Sequence, residues 1–469
     1  MDLTNLPATG LSDLIASRQV SCAEVMTDYL ARIDRLNPAV NAIVALRDPD
    51  ALMAEARAAD QTPRKGWLHG LPLAVKDLVG VAGIRSTWGT PILADNVPRA
   101  DDLLPARLRA AGGILIGKTN TPEFGLGSHT FNPIYGATPT PYAFDRTAGG
   151  SSGGAAAALA ARLLPVADGS DMMGSLRNPA AFCNVYGFRP TWGRVPVDPV
   201  GDLFLHQLST DGPMARTVQD LARLLETLAV PDARLPHGRP NEPFADGLDI
   251  DPKGLRIGWL GNWGGAYAME PGILDLCETA MGTLQDMGCI VEQVAPPVSA
   301  SLIWDAWITL RSWAVAARLG IFHADPAKRA LLKPEAIWEI ERGLALSAME
   351  IHRASLARSA WQVEAAGLFD RFDALVLPSA QVWPFPKGWR YPEQINGQRM
   401  DTYHRWMEVV VPVSLLGLPA LAAPVGFGAN GLPMGMQIFA RRGADRALLQ
   451  LGQAWHRSTD WPGRRLPAL

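Results

Sequence analysis

The sequence predicts an α/β fold, a large mixed β-sheet core flanked by helices on both faces. Three observations lead there. Between residues 66 and 217, short apolar runs at 71–76, 114–117, 164–167 and 185–188 alternate with helical stretches at 103–111 and 155–163, the pattern of a sheet covered by helices. Residues 409–440 carry no charge at all, yet Pro412, Pro419, Pro424 and Pro433 break the run into strand-length pieces, which reads as core and not as a membrane span. The composition, 48% hydrophobic and 19% charged over 469 residues, is that of a globular chain able to bury a large core.

Taken in order, residues 1–64 are mainly helical. Ser21 and Glu24 form a capping-box pattern for a helix reaching about Leu36. A strand is expected at 40–46 and a helix at 49–59, with no catalytic constellation. Residues 149–189 organise the rest. Residues 155–164 read as a buried helix, 165–167 as a short strand, 171–175 as a turn and 176–182 as a second short helix. Ser151 and Ser175 therefore fall at or near helix N-termini, where free N–H groups favour negative charge and an oxyanion would be stabilised.

Residues 231–253, rich in proline, aspartate and glycine, read as a connection. Strands are expected at 255–260, 289–294, 374–377, 418–425 and 434–440. Helices are expected at 272–287, 301–319, 351–369, within 402–416 and at 444–455. The pieces return to one sheet, so a single domain is expected over 1–469.

Net charge of −3 argues against a nucleic-acid surface. Cys22, Cys183, Cys277 and Cys289 are widely spaced and read as reduced, buried thiols of a cytoplasmic protein. No signal peptide is apparent. The eight histidines show no metal-ligand spacing, so neither metal nor other cofactor is expected. Two motifs mislead. Residues 112–119 match the phosphate-loop pattern GxxxxGK[ST], but the interior Ile114-Leu115-Ile116 is a strand and Pro122 follows where a helix should open. Gly150-Ser151-Ser152-Gly153-Gly154 matches the hydrolase elbow GxSxG, which would make Ser152 the nucleophile of an esterase. That elbow needs a preceding apolar strand, and residues 144–147 are not one.

Gly149-Gly150-Ser151-Ser152-Gly153-Gly154, the later Asp171-x-x-Gly174-Ser175-x-Arg177, and Lys76 after an apolar run together resemble the amidase signature family of serine hydrolases. Lys118-Thr119-Asn120, Pro179-Ala180-Ala181-Phe182-Cys183, Gly212 to Thr217 and Gly417-Leu418-Pro419-Ala420 extend the likeness over nearly the whole chain. The resemblance implies a Ser175–Ser151–Lys76 triad with a cis Gly150–Ser151 peptide. It implies an oxyanion hole from the backbone of Met172, Met173, Gly174 and Ser175, and support from Ser152 and an Asp171–Arg177 pair. It also implies a catalytic core at 65–217, a variable, pocket-lining part at 231–416, and closing strands and a helix at 417–469.

An amide is a poor electrophile with a poor leaving group, so its cleavage needs an activated nucleophile, an oxyanion hole and a proton for the amine. Lys76 must be neutral to accept a proton. From an ordinary value near 10.4, neutrality at pH 7 costs roughly 4–5 kcal/mol, which burial beside Pro72, Leu73 and Val75 would partly supply. The chain departs from the family at Met173, where glycine is usual, with Met172 before it. Trp88 and His129 also stand where other residues are common, and these four are expected near the substrate pocket. Trp304, Trp307, Trp313, Trp338, Trp383, Trp389 and Trp406 crowd the variable part, most as core and one or two as pocket wall. The expected activity is hydrolysis of a small aryl or apolar amide, anilide or carbamate by a monomer or homodimer without membrane attachment. The alternative is the glutaminase component of a tRNA-dependent amidotransferase.

Overall fold

The computed structural model describes residues 2–469. Two sheets carry the architecture. The smaller contains β1 (Ile43–Val44), β2 (Pro72–Lys76) and β3 (Ile114–Thr119), with β3 in the middle, parallel to β2 and antiparallel to β1. The larger contains β4 (Ala167–Asp171), β5 (Tyr186–Arg189), β6 (Thr210–Ala215), β7 (Arg256–Trp259), β8 (Ile290–Gln293), β9 (Ala374–Pro378), β10 (Ala420–Phe427) and β11 (Pro433–Phe439), in the order β8-β7-β9-β11-β10-β5-β6-β4. It is mixed: β7 runs parallel to β8 and β9, and the other neighbours are antiparallel. Helices surround it.

The central strands explain the uncharged C-terminal stretch. β9 and β11 are buried along their whole length and β10 at all but its last residue, as strands covered on both faces must be. Pro424 is accommodated where the β10–β11 register shifts between Pro424 and Gly426, since a proline cannot donate to a regular ladder.

Several expected elements move. The Lys76 strand pairs in the small sheet and not in the large one. The strand expected at 40–46 shrinks to Ile43–Val44, because the helix Cys22–Val40 continues through Pro38. The strand expected at 165–167 lies instead at β4, through the polar run Ala167-Asp168-Gly169-Ser170-Asp171. β4 is an edge strand whose polar side chains each find a buried partner, so apolar patterning does not reveal it. β6 lay hidden in the Gly212-Pro213 motif. Residues 143–147 do form a strand, but it pairs with Pro139–Thr140 and, through a single bridge at Arg146, with Pro386, outside both sheets.

The buried helix spans Gly153–Ala160, and the second short helix spans Asn178–Cys183. Gly154 allows the first helix to meet the end of β3: a Cβ there would lie 2.3 Å from the Asn120 nitrogen. Ile114–Thr119 is buried throughout as β3, which leaves the phosphate-loop pattern no cradle. Trp307 and Trp406 are core, whereas Trp389 is exposed. Among the described residues, no helix is long and apolar enough to cross a membrane.

Candidate active site

Lys76 closes β2, and burial leaves its side chain no solvent. Its Nζ donates to Ser151 Oγ at 2.8 Å, Ser152 Oγ at 2.8 Å and Ser170 Oγ at 2.9 Å. Three hydroxyls and no carboxylate at hydrogen-bond distance suit a neutral amine as well as an ammonium. Burial pushes the ammonium down to about 7, while the charges of Asp168, Asp211 and Asp171 pull the other way. Lys76 is placed from the main chain too. Its backbone N–H donates to the Asp168 carboxylate at 3.1 and 3.3 Å, which fastens the end of β2 to β4 and hence the small sheet to the large one. Burial raises the Asp168 carboxyl to about 6 against the lowering effects of that hydrogen bond, Lys118 and Lys76.

Ser151 follows a cis Gly150–Ser151 peptide. The turn is braced from outside. Ser128 Oγ donates to Gly150 O at 2.6 Å and accepts from Gly150 N–H at 3.1 Å. Thr147 Oγ1 accepts from Gly149 N–H at 3.0 Å and lies 2.8 Å from His129 Nδ1. The other His129 ring nitrogen meets Lys387 O at 2.9 Å, and burial lowers the imidazole to about 4, so it is neutral. With both nitrogens engaged, His129 is a buried brace for the turn. Ser152 is fully buried and bonds to Lys76 and to the Ser170 backbone, so the elbow reading, which needs an accessible Ser152 nucleophile, has no support in the geometry.

Ser175 lies in the turn between β4 and the Asn178–Cys183 helix, and Ser152 N–H donates to its carbonyl at 3.3 Å, which sets the two serine turns side by side. Asp171 shapes that turn. Its carboxylate accepts from Gly174 N–H at 2.9 Å, Leu176 N–H at 3.1 Å, Arg177 at 3.0 Å through each of two nitrogens, and Arg189 at 3.0 Å. The two guanidiniums hold it far below the usual carboxylate range despite its burial. Because Gly174 N–H points at Asp171, it leaves the expected oxyanion-hole set. Among the described residues, no group accepts from the N–H of Met172, Met173 or Ser175. Gly174 is required for another reason: at φ +80° a Cβ would meet Asn178 Oδ1 at 2.3 Å.

The two methionines separate. Met173 is buried in the main core. Met172 is half-buried, and its sulfur accepts from Arg311 Nη1 at 3.6 Å. Arg311 is held in turn by Glu339 at 2.6 Å and Tyr403 at 3.0 Å. Trp88 is half-buried, edge-on to Phe124 at 6.4 Å and beneath the Arg318 guanidinium at 5.3 Å.

The fold and this arrangement, a buried lysine on a serine that follows a cis peptide beside a second serine in an aspartate-braced turn, can be set beside known proteins. The amidase family model matches residues 24–449. The chain belongs to the amidase signature family. It is 32% identical to an acylamidase from Rhodococcus erythropolis, over 98% of this chain and 97% of that one. It is 35% identical to the A component of the glutamyl-tRNA(Gln) amidotransferase of Thermus thermophilus, over 95% of each. The crystal structure of a bacterial aryl acylamidase superposes with a TM-score of 0.91 at 30% identity, over 98% of this chain and 99% of that one. As a member of this family the amidase is a hydrolase acting on C–N bonds of amides.

Ser170, Asp168 and Arg189 were missed from the sequence. The signal was strand alternation: two residues apart, Asp168 and Ser170 share one face of β4, and Asp171 takes the other.

Proposed function

We propose that the amidase cleaves small apolar or aryl amides, anilides or carbamates through a seryl acyl-enzyme, with Ser175 as nucleophile, Ser151 as relay and Lys76 as base. The observation that carries this reading is the buried Lys76 Nζ at 2.8 Å from Ser151 Oγ, with no carboxylate among its hydrogen-bond partners to hold it charged. Ser175 Oγ adds to the carbonyl carbon while its proton passes to Ser151, whose own proton passes to Lys76. The oxyanion takes the N–H groups of Met172, Met173 and Ser175. Collapse breaks the C–N bond, and Lys76 returns the proton through Ser151 to the leaving nitrogen. Water then attacks the acyl-enzyme by the same route.

The apolar substrate class is supported by the Met172 thioether beside the turn and by the aryl acylamidase likeness. The 35% identity to an amidotransferase component favours a second reading, glutamine hydrolysis within a complex. Assay of the purified chain against amides, anilides, carbamates, esters and glutamine separates them: the proposal expects turnover of aryl amides without a partner and little from glutamine. Ser175→Ala should abolish both turnover and fluorophosphonate labelling while leaving the fold intact. An adduct mapped to Ser152 would overturn the assignment of the nucleophile.

A further inference from the structure

One buried-face acid lies outside the mechanism above. Asp211 on β6 is the register partner of Ser170 on β4. Residues directly opposite in an antiparallel ladder project from the same face, with Cβ atoms about 5 Å apart. Ser170 uses that face to reach Lys76 Nζ. Asp211 therefore stands on the Lys76 side of the sheet, while Asp171 and its arginines occupy the other. The side chain is half-buried, and among the described residues no group donates a hydrogen bond to its carboxylate. We propose that Asp211 and Lys76 share protons as a pair, so that Asp211 is a positioning residue for charge and sets the pH at which Lys76 becomes able to accept a proton.

The surroundings are consistent with this role. The charges that act on Asp211 are those of Asp168 on β4, Lys76 on β2, Arg318 on the Ala300–His323 helix and Asp198 on the β5–β6 connection. Lys118 on β3 answers Asp77, Asp168, Asp102 and Asp101 instead. Burial first and Asp168 second raise the Asp211 carboxyl to about 7, against Lys76 and Arg318. Two ionisable groups that interact strongly release protons as a pair and not as independent sites. The sign is fixed. An ionised Asp211 favours the ammonium form of Lys76, so it moves the loss of the Lys76 proton to higher pH. Removing the carboxylate should free the amine at lower pH.

The inference rests on Lys76 being the base, and the test separates the two. The rate of fluorophosphonate labelling of Ser175 is measured against pH for the wild type, Asp211→Asn, Asp211→Ser, Asp211→Glu and Lys76→Ala, with a folding check on each. The acidic limb of Asp211→Asn should shift down by roughly half a unit or more, the direction expected on losing a nearby opposite charge. About one unit below the wild-type midpoint, the variant should then label at least about two- to three-fold faster than the wild type. Asp211→Glu should return the limb toward its wild-type place, and Asp211→Ser should repeat the shift if the asparagine variant folds poorly. A limb that stays put, or a uniform slowing at every pH, overturns the pairing and leaves Asp211 a structural residue. Full labelling of Lys76→Ala overturns the base itself.

Discussion

At the scale of single residues, the site turns on how one amine is kept neutral. Lys76 loses its proton near neutrality because burial removes the water that would solvate an ammonium, and its three hydrogen-bond partners are hydroxyls. The sign for activity follows: only the neutral form accepts a proton, so kcat/KM for an amide should fall as pH drops through about 7. A pH–rate profile checks it, and an acidic limb two units lower would contradict the burial argument. Lys76, Ser151 and Ser175, the proposed triad, were legible as a group because their spacing is a motif. Ser170 was not, because a third hydroxyl on the lysine follows from the alternation of a polar strand that hydrophobic patterning passes over.

At the scale of elements, β4 is where sequence reading was weakest and where the site is built. Its register puts Asp168 and Ser170 toward Lys76 and Asp171 toward the arginines, so one strand serves both Lys76 and the Ser175 turn. Asp168→Ala should leave the Lys76 N–H without its acceptor and loosen β2 from β4. A stability loss of about 1–3 kcal/mol is expected from an unsatisfied buried group, with a larger proportional loss of activity. Chemical denaturation beside steady-state rates would show whether the two effects separate. The turn that follows β4 makes a second distinction. Met173 packs in the core, so Met173→Ala should cost about 2–5 kcal/mol of stability while the ranking of substrates holds. Met172 touches Arg311 from the half-buried side, so Met172→Thr should change relative kcat/KM among aryl and aliphatic amides at little cost in stability. Unchanged ranking in Met172→Thr would remove the methionine from the specificity argument. The sequence placed both methionines in the turn, and only the backbone path could tell which one turns inward.

At the scale of the whole molecule, the Ser175 turn is held by parts of the chain far apart in sequence. Arg177 donates to Asp171, to the Val410 carbonyl at 3.0 Å, to Gln437 Oε1 at 2.5 Å and to Ser414 Oγ at 2.6 Å. Gln437 lies on β11 and donates in turn to the Pro378 carbonyl of β9 and to Val409. The aspartate and arginine of this network were visible in the motif, but the partners at residues 409–437 come from long-range packing that no local pattern encodes. Both members of the Asp171–Arg177 pair are fully buried, so removing one strands the charge of the other. Arg177→Met should destabilise the fold by about 3–5 kcal/mol, the range for breaking a buried pair, with Arg189 limiting the loss because it also holds Asp171. The pH dependence has a definite sign. Asp171 is held ionised below its unfolded value near 3.9, so its contribution is complete above that pH and is lost only on further acidification. Between pH 5 and 8 the difference in unfolding free energy between wild type and Arg177→Met should therefore stay flat, narrowing only below about pH 4. A difference that changed steadily between pH 5 and 8 would show that the turn is held by another titrating group. Loss of labelling at Ser175 in a variant that remains folded would show that this distant anchoring also positions the nucleophile.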